Sequence, residues 1–187
     1  RNYGLRGLEL SHRNFEGALR QSPRAAARAA KTADVPLLYW TAAAWGSAIS
    51  LSKDDPELVA EQPIVEALID RALALDEMYD QGAIHSFLIT YEMARQGAPG
   101  VAADRAKKHF DRAMELSGGL QAAPLVAYAE SVSLNNQNRR EFESMLRRAL
   151  AIDTNARPER RLANLVMQRR ARWLLSRVDE LILEPQK

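Results

Sequence analysis

IDRALALDE (69–77), FDRAMELSG (110–118) and LRRALAIDT (146–154) align without a gap. Each has an apolar residue, a charged pair ending in Arg, an alanine, and apolar positions beyond it. The shared alanines are Ala72, Ala113 and Ala149, spaced by 41 and 36 residues. A period of this length is the mark of stacked helical hairpins, each too small to bury its apolar face alone. Around the middle copy the pattern widens to A-x-x-x-F-x-x-A, on Ala106, Phe110 and Ala113. Small alanines let neighbouring helices approach, and the large residue fills the gap between hairpins. The other copies read Val65, Ile69, Ala72 and Phe142, Leu146, Ala149, which keep size and spacing better than identity. The pattern resembles the second-helix signature of a tetratricopeptide (TPR) unit. The usual closing proline is missing in all three, so the units are degenerate.

The rest of the chain fits that reading. Apolar residues recur at three- and four-residue spacing, and strand patterns are almost absent. The spacing predicts helices over 3–20, 24–31, 36–52, 63–75, 80–95, 102–117, 122–134, 139–152 and 158–183. Ser22-Pro23, Val35-Pro36 and Asp55-Pro56 read as helix starts, with Pro in the first turn. Asp54-Asp55 is better explained as a cap for the helix at Pro56 than as an acid–base pair. Gly97-Ala98-Pro99-Gly100, Gly118-Gly119 and Asn135-Asn136 read as breaks. The expected first helices of the hairpins are 36–52, 80–95 and 122–134. The last helix carries Leu162, Leu165, Val166, Trp173, Leu174, Val178 and Leu181, an apolar face expected to cover the end of the stack, with arginines opposite. No linker is long enough to divide the chain, so the expectation is an all-α single TPR-like repeat domain over 1–187.

Composition narrows the function. The 187 residues suffice for one well-cored domain, with 47% hydrophobic and 27% charged residues. There is no cysteine, hence no disulfide, thiol nucleophile or thiolate metal site. No apolar run reaches the roughly 20 residues of a membrane span. Net charge is only +2, yet residues 53–92 hold ten acidic and two basic side chains, and 137–187 hold twelve basic and seven acidic. Such asymmetry steers partners or orients an oligomer, or simply marks solvated faces of opposite sign.

No catalytic constellation emerges. His12, His85 and His109 fall on three predicted helices and in no HExxH motif; no phosphate loop or G-x-S-x-G elbow is present. The reading is non-enzymatic, with no cofactor and no metal. Arg160-Arg161 and Arg169-Arg170-Arg172 raise nucleic-acid binding, but net charge is low, any positive face meets that requirement, and few aromatic residues are interleaved with these arginines. No nucleic-acid partner is expected.

The aromatic residues are more informative. DVPLLYWTAAAWGSAIS (34–50) places Tyr39, Trp40 and Trp45 within seven residues, out of twelve Phe, Trp and Tyr in the chain. At about 100° per residue the three rings cannot share one narrow stripe. Some pack in the core while another faces the groove. The next first helices add His85, Phe87, Tyr91 and Tyr128. If first helices line the concave face, these seven residues are the candidate lining of a ligand cavity or pore; otherwise they fill gaps between repeats.

DVPLLYWTAAAWGSAISLSKD (34–54) resembles TatT proteins, the T components of TPR-protein-associated TRAP transporters. The order of the later segments does too: PIVEALIDRALALDE, the helix with Ala83-Ile84-His85-Ser86-Phe87, AKKHFDRAMELSGG, the RALAID copy and a long terminal helix. The resemblance covers nearly the whole chain. It implies cryptic TPR-like hairpins in a periplasmic, often lipid-anchored protein. It implies work beside a TRAP-type solute-binding protein, the P component, and an inner-membrane permease. It further implies a homotrimer with a cavity or pore in each protomer for a small, largely apolar organic ligand. Carried to this chain, the pore residues are those around Tyr39, Trp40, Trp45, His85 and Tyr128, placed by position rather than by a matched motif. The family's lipid-bearing cysteine is not among these residues, so the membrane link is expected through a segment outside them. The alternative is a generic TPR adaptor holding a peptide in its groove. The first helices at 36–52 and 80–95 have only Lys53 and Arg95 near their ends, which argues against a carboxylate-clamp groove.

Overall fold

A computed structural model describes residues 1–183, and among them every regular element is helical. The contacts gather into two compact units that divide after Asp80.

The first unit holds α1 (Asn2–Ser11), α2 (Phe15–Gln21), α3 (Pro23–Ala27), α4 (Val35–Leu51), α5 (Pro56–Val59) and α6 (Gln62–Leu75). α4 packs along α6, α1 lies on α4, and α3 on α6. Leu8, Leu19, Leu38, Ala42, Trp45, Leu68 and Ile69 are fully buried in this unit. The helix expected over 3–20 is two helices. His12 is extended and Asn14 left-handed at φ 57°. The Glu9 carboxylate accepts from the Glu16 N–H at 2.8 Å, which satisfies a donor that the start of α2 would otherwise leave orphaned. Gly4 has a steric reason: a Cβ there would lie 1.9 Å from Thr41 Oγ1, so only glycine lets α1 approach α4 this closely. Asp55 caps α5 as expected, accepting from the N–H groups of Glu57 and Leu58.

The second unit holds α7 (Ala83–Ala94), α8 (Ala102–Leu116), α9 (Ala122–Tyr128), α10 (Arg139–Leu150), α11 (Arg161–Leu175) and α12 (Val178–Leu181). α9 runs on into one wide π-type turn, Ala129–Ser133. α7 packs on α8, and α9, α10 and α11 pack on one another. Gly82 sits at φ +92°, and a Cβ there would meet Leu116 and Ala113 at 3.2–3.3 Å, so the entry into α7 requires glycine twice over.

The repeat read from the sequence is a packing repeat. All nine signature positions, Val65, Ile69, Ala72, Ala106, Phe110, Ala113, Phe142, Leu146 and Ala149, are buried. Each copy lies on a helix paired with the expected preceding one: α6 with α4, α8 with α7, α10 with α9. The repeated arginines do not share a role. Arg71 donates to the carbonyls of Arg28 and Ala30 at the end of α3. Arg112 pairs with Glu115, and Arg148 lies over the Phe110 ring.

The C-terminal segment corrects the sequence reading. α11 ends at Leu175, and the helix expected over 158–183 is interrupted before α12. The face turned inward is Asn164, Gln168, Ala171 and Leu174. Leu162, Leu165, Val166 and Trp173, expected to cover the core, are exposed. The reason is hydrogen bonding. Gln168 Nε2 donates to the carbonyls of Ala149, Leu150 and Ile152 at 2.8–3.3 Å, closing the C-terminal end of α10. Asn164 Oδ1 accepts from the Ala122 N–H at 2.9 Å, and its Nδ2 donates to Leu120 O at 2.9 Å, fixing the start of α9. Two amides satisfy helix-end groups that an apolar face would have left buried and unpaired.

Candidate functional site

α4 carries the densest aromatic segment, and its rings diverge as helical geometry requires. Trp45 is fully buried. Its Nε1–H donates to Glu61 Oε2 at 2.7 Å, and the guanidinium groups of Arg1 and Arg20 lie over its ring at 4.9 and 6.0 Å. Arg1 and Arg20 also pair with Glu61. Burial pushes the Glu61 carboxyl up, but the bonds from Arg20 and Trp45 outweigh it and hold it below the usual carboxylate range. Trp45 is therefore a core residue whose polar tip has a charged partner.

Trp40 points the other way and is 63% exposed. Its ring lies edge-on to Tyr39 at 5.1 Å, and Tyr39 is tilted against Tyr79 at 5.5 Å. Burial, then the charge of Asp80, pushes the Tyr39 phenol up to about 12. It stays a neutral hydroxyl at physiological pH. Tyr39, Trp40 and Tyr79 thus form a small aromatic platform with one open ring. Tyr79 was not singled out by sequence reasoning, because it lies 39 residues from Trp40 and only the packing of the unit joins them.

In the second unit His85 is buried on α7, and its Nδ1 lies 2.8 Å from His109 Nδ1 on α8. The sequence placed these histidines on separate helices; the α7–α8 pairing makes them neighbours. Phe87 stacks on Tyr91 at 5.5 Å, one helical turn on, and both are half-buried. Tyr128 is buried against Phe110 at 4.7 Å. So Tyr39 and Trp40 cluster, Phe87 and Tyr91 cluster, and Trp45, His85 and Tyr128 each sit in a separate internal contact. Beside Phe87 and Tyr91 on α7, Glu92 is 3% exposed and held by Arg95 and Arg105. Arg105 also donates to the carbonyls of Pro99 and Gly100 at 3.0 Å, tying down the glycine-rich loop.

Open clefts lie beside these groups. One of about 510 Å³ is lined by Arg20, Pro23, Glu57, Ala60, Glu61, Pro63 and Ile64. Another, about 340 Å³, is lined by Thr90, Met93, Ala94, Glu130, Ser131, Leu134 and Asn135. Neither includes a residue expected to line a pore. Among the described residues no group of three or more His, Asp or Glu is placed to hold a metal ion. No helix among them is long and apolar enough to cross a membrane.

Helices packed in pairs define the class: an all-helical protein. The chain belongs to the TRAP transporter T-component family (TAtT), whose model matches residues 1–182. This is a family of transport-system accessory components rather than of enzymes. The chain is also similar to an uncharacterized protein of Treponema pallidum (strain Nichols), 26% identical over 187 residues. That alignment covers 97% of this chain and 58% of the relative, so the chain spans little more than half the relative's length.

Proposed function

We propose that the chain is a periplasmic, non-enzymatic accessory component of a TRAP-type solute transport system. It docks the solute-binding (P) protein and presents aromatic surface to a small, largely apolar organic ligand. The helix pairs α4–α6, α7–α8 and α9–α10 act as degenerate TPR-like units, because repeat packing offers concave surface without needing catalytic groups. Assembly as a homotrimer and a lipid tether belong to the same reading.

The observation that carries the ligand part is the Tyr39–Trp40–Tyr79 platform. Trp40 is the one residue of the three presented openly, and it rests edge-on against Tyr39, which in turn packs on Tyr79. A pre-positioned indole beside neutral hydroxyls suits a flat or branched apolar molecule with a polar tip.

The first test is native mass spectrometry of the purified protein, with gentle release and identification of whatever co-purifies. A small apolar molecule retained by the wild type and lost in Trp40→Ala, with unchanged circular dichroism, supports the reading. Retention in Trp40→Ala moves the ligand away from this platform. A ligand-free protein that binds peptide instead favours the TPR-adaptor alternative.

A further inference from the structure

α11 has three faces, and the outermost has no use in the fold. At about 100° per residue, Leu162, Val166, Arg169 and Trp173 fall within roughly 60° of one another. Leu165, Arg161 and Arg172 lie on one flank of that line, and Arg170 on the other. Asn164, Met167, Gln168, Ala171, Leu174 and Leu175 occupy the opposite side, and all of these are buried or half-buried. Leu162 is 75% exposed, Val166 52% and Trp173 43%. The result is an apolar line edged by guanidinium groups, held rigidly because the inward amides fix the helix.

The charge is one-sided. From 157 to 177 the chain has seven arginines and a single acid, Glu159. Arg161, Arg169 and Arg172 make no ion pair among the described residues. The guanidinium groups of Arg170 and Arg177, paired with Glu130 and Glu180, lie over the Trp173 indole at 4.3 and 5.0 Å.

We infer that this face of α11 is a docking surface for an anionic phospholipid membrane, lying flat in the headgroup region. An interfacial helix needs apolar side chains along its centre, cations at its margins to meet lipid phosphates, and an amphipathic ring at the boundary. This face has all three, and the rest of the unit has already met the cost of ordering the helix. Other occupants fit less well. A nucleic acid would meet an apolar line where phosphates need cations. A two-fold contact with a second copy would set arginines against arginines, and a heterologous contact, as in a trimer, is separated by the sedimentation arm of the test. The inference is independent of any lipid anchor, and it differs from a tether in leaving a footprint on named side chains.

The test is flotation of the 187-residue chain with vesicles of phosphatidylcholine containing one-third phosphatidylglycerol, beside vesicles of phosphatidylcholine alone. Binding should require phosphatidylglycerol and weaken as salt rises. Arg161→Gln/Arg169→Gln/Arg172→Gln should reduce it by about a hundredfold, at roughly fivefold per cation. Leu162→Ser/Val166→Ser should weaken it while leaving thermal unfolding unchanged, since both side chains are exposed. In a Trp40→Phe background, brominated lipid should quench Trp173 emission. Absence of binding, or binding indifferent to both variants, overturns the proposal. So does sedimentation showing a self-associated form that Leu162→Ser/Val166→Ser dissociates while vesicles are ignored. Binding to polyglutamate but not to vesicles assigns the face to an acidic protein and overturns it as well.

Discussion

Trp45 Nε1 donates to Glu61 Oε2 at 2.7 Å, so the largest buried side chain of the first unit is anchored to a carboxylate that also receives Arg1 and Arg20. This contact separates the two tryptophans of one helix. Trp45 is a structural residue, and Trp40, five residues earlier, is exposed. Trp45→Ala should cost about 3–5 kcal/mol, read as a lowered urea midpoint. Trp40→Ala should change stability by no more than about 0.5 kcal/mol, as exposed positions do. Equal losses from both would place Trp40 in a core.

Three carboxylates set the acid limit. Burial pushes Glu92 up, but Arg105 and Arg95 more than reverse it; Glu61 and Asp34 are likewise held below their ordinary range despite burial. For Asp34 the opposing bonds come from the Lys31 N–H and from His12. Groups with depressed folded values are fully stabilising above their unfolded values, about 4. That stability is lost as pH falls through the folded ones. The melting temperature should therefore be flat from neutral pH to about 5 and fall below it. Glu92→Gln should lower the neutral plateau and flatten the acid fall. An acid limb as steep as wild type in this variant would assign the fall to other groups.

Arg105→Met should destabilise the second unit by about 3 kcal/mol, because it leaves Glu92 buried with half its cationic partners. It should also free the loop at Pro99–Gly100, whose carbonyls Arg105 holds. Limited proteolysis would show new cleavage there. Resistance equal to wild type would mean the loop is held by other contacts.

Gln168→Met fills the same space with an apolar side chain of similar length and removes the donor to three carbonyls. A cost of about 1–3 kcal/mol is expected, with faster amide exchange in α11. Were α11 held by apolar packing, the same substitution would be neutral or stabilising.

Thr41 Oγ1 is buried with no hydrogen-bond partner among the described residues. Thr41→Val keeps the branched shape and removes the unpaired hydroxyl, so it should leave stability unchanged or raise it by about 1 kcal/mol. Gly4→Ala should do the opposite, since its new Cβ collides with Thr41 and has to separate α1 from α4. A loss of about 1–3 kcal/mol is expected from chemical denaturation.

The sequence by itself determined the helical class, the register of the three repeated segments and the partner helix of each. Those follow from local spacing: an alanine or large apolar residue every third or fourth position dictates which stripe of a helix is buried, whatever covers it. It also determined that Tyr39, Trp40 and Trp45 diverge, because turn geometry alone forces it. Tertiary structure decided which ring went inside. Trp45 is internal because Glu61, sixteen residues on, accepts its N–H, and no pattern in the chain pairs them. The same holds for Tyr79 beside Tyr39, His109 beside His85, and the inversion of α11. There, apolar periodicity pointed Leu162, Leu165, Val166 and Trp173 inward. The fold turned them out because orphaned carbonyls at the end of α10 and amides at the start of α9 needed Gln168 and Asn164. A helix end's need for hydrogen bonds becomes visible only once another element is packed against it.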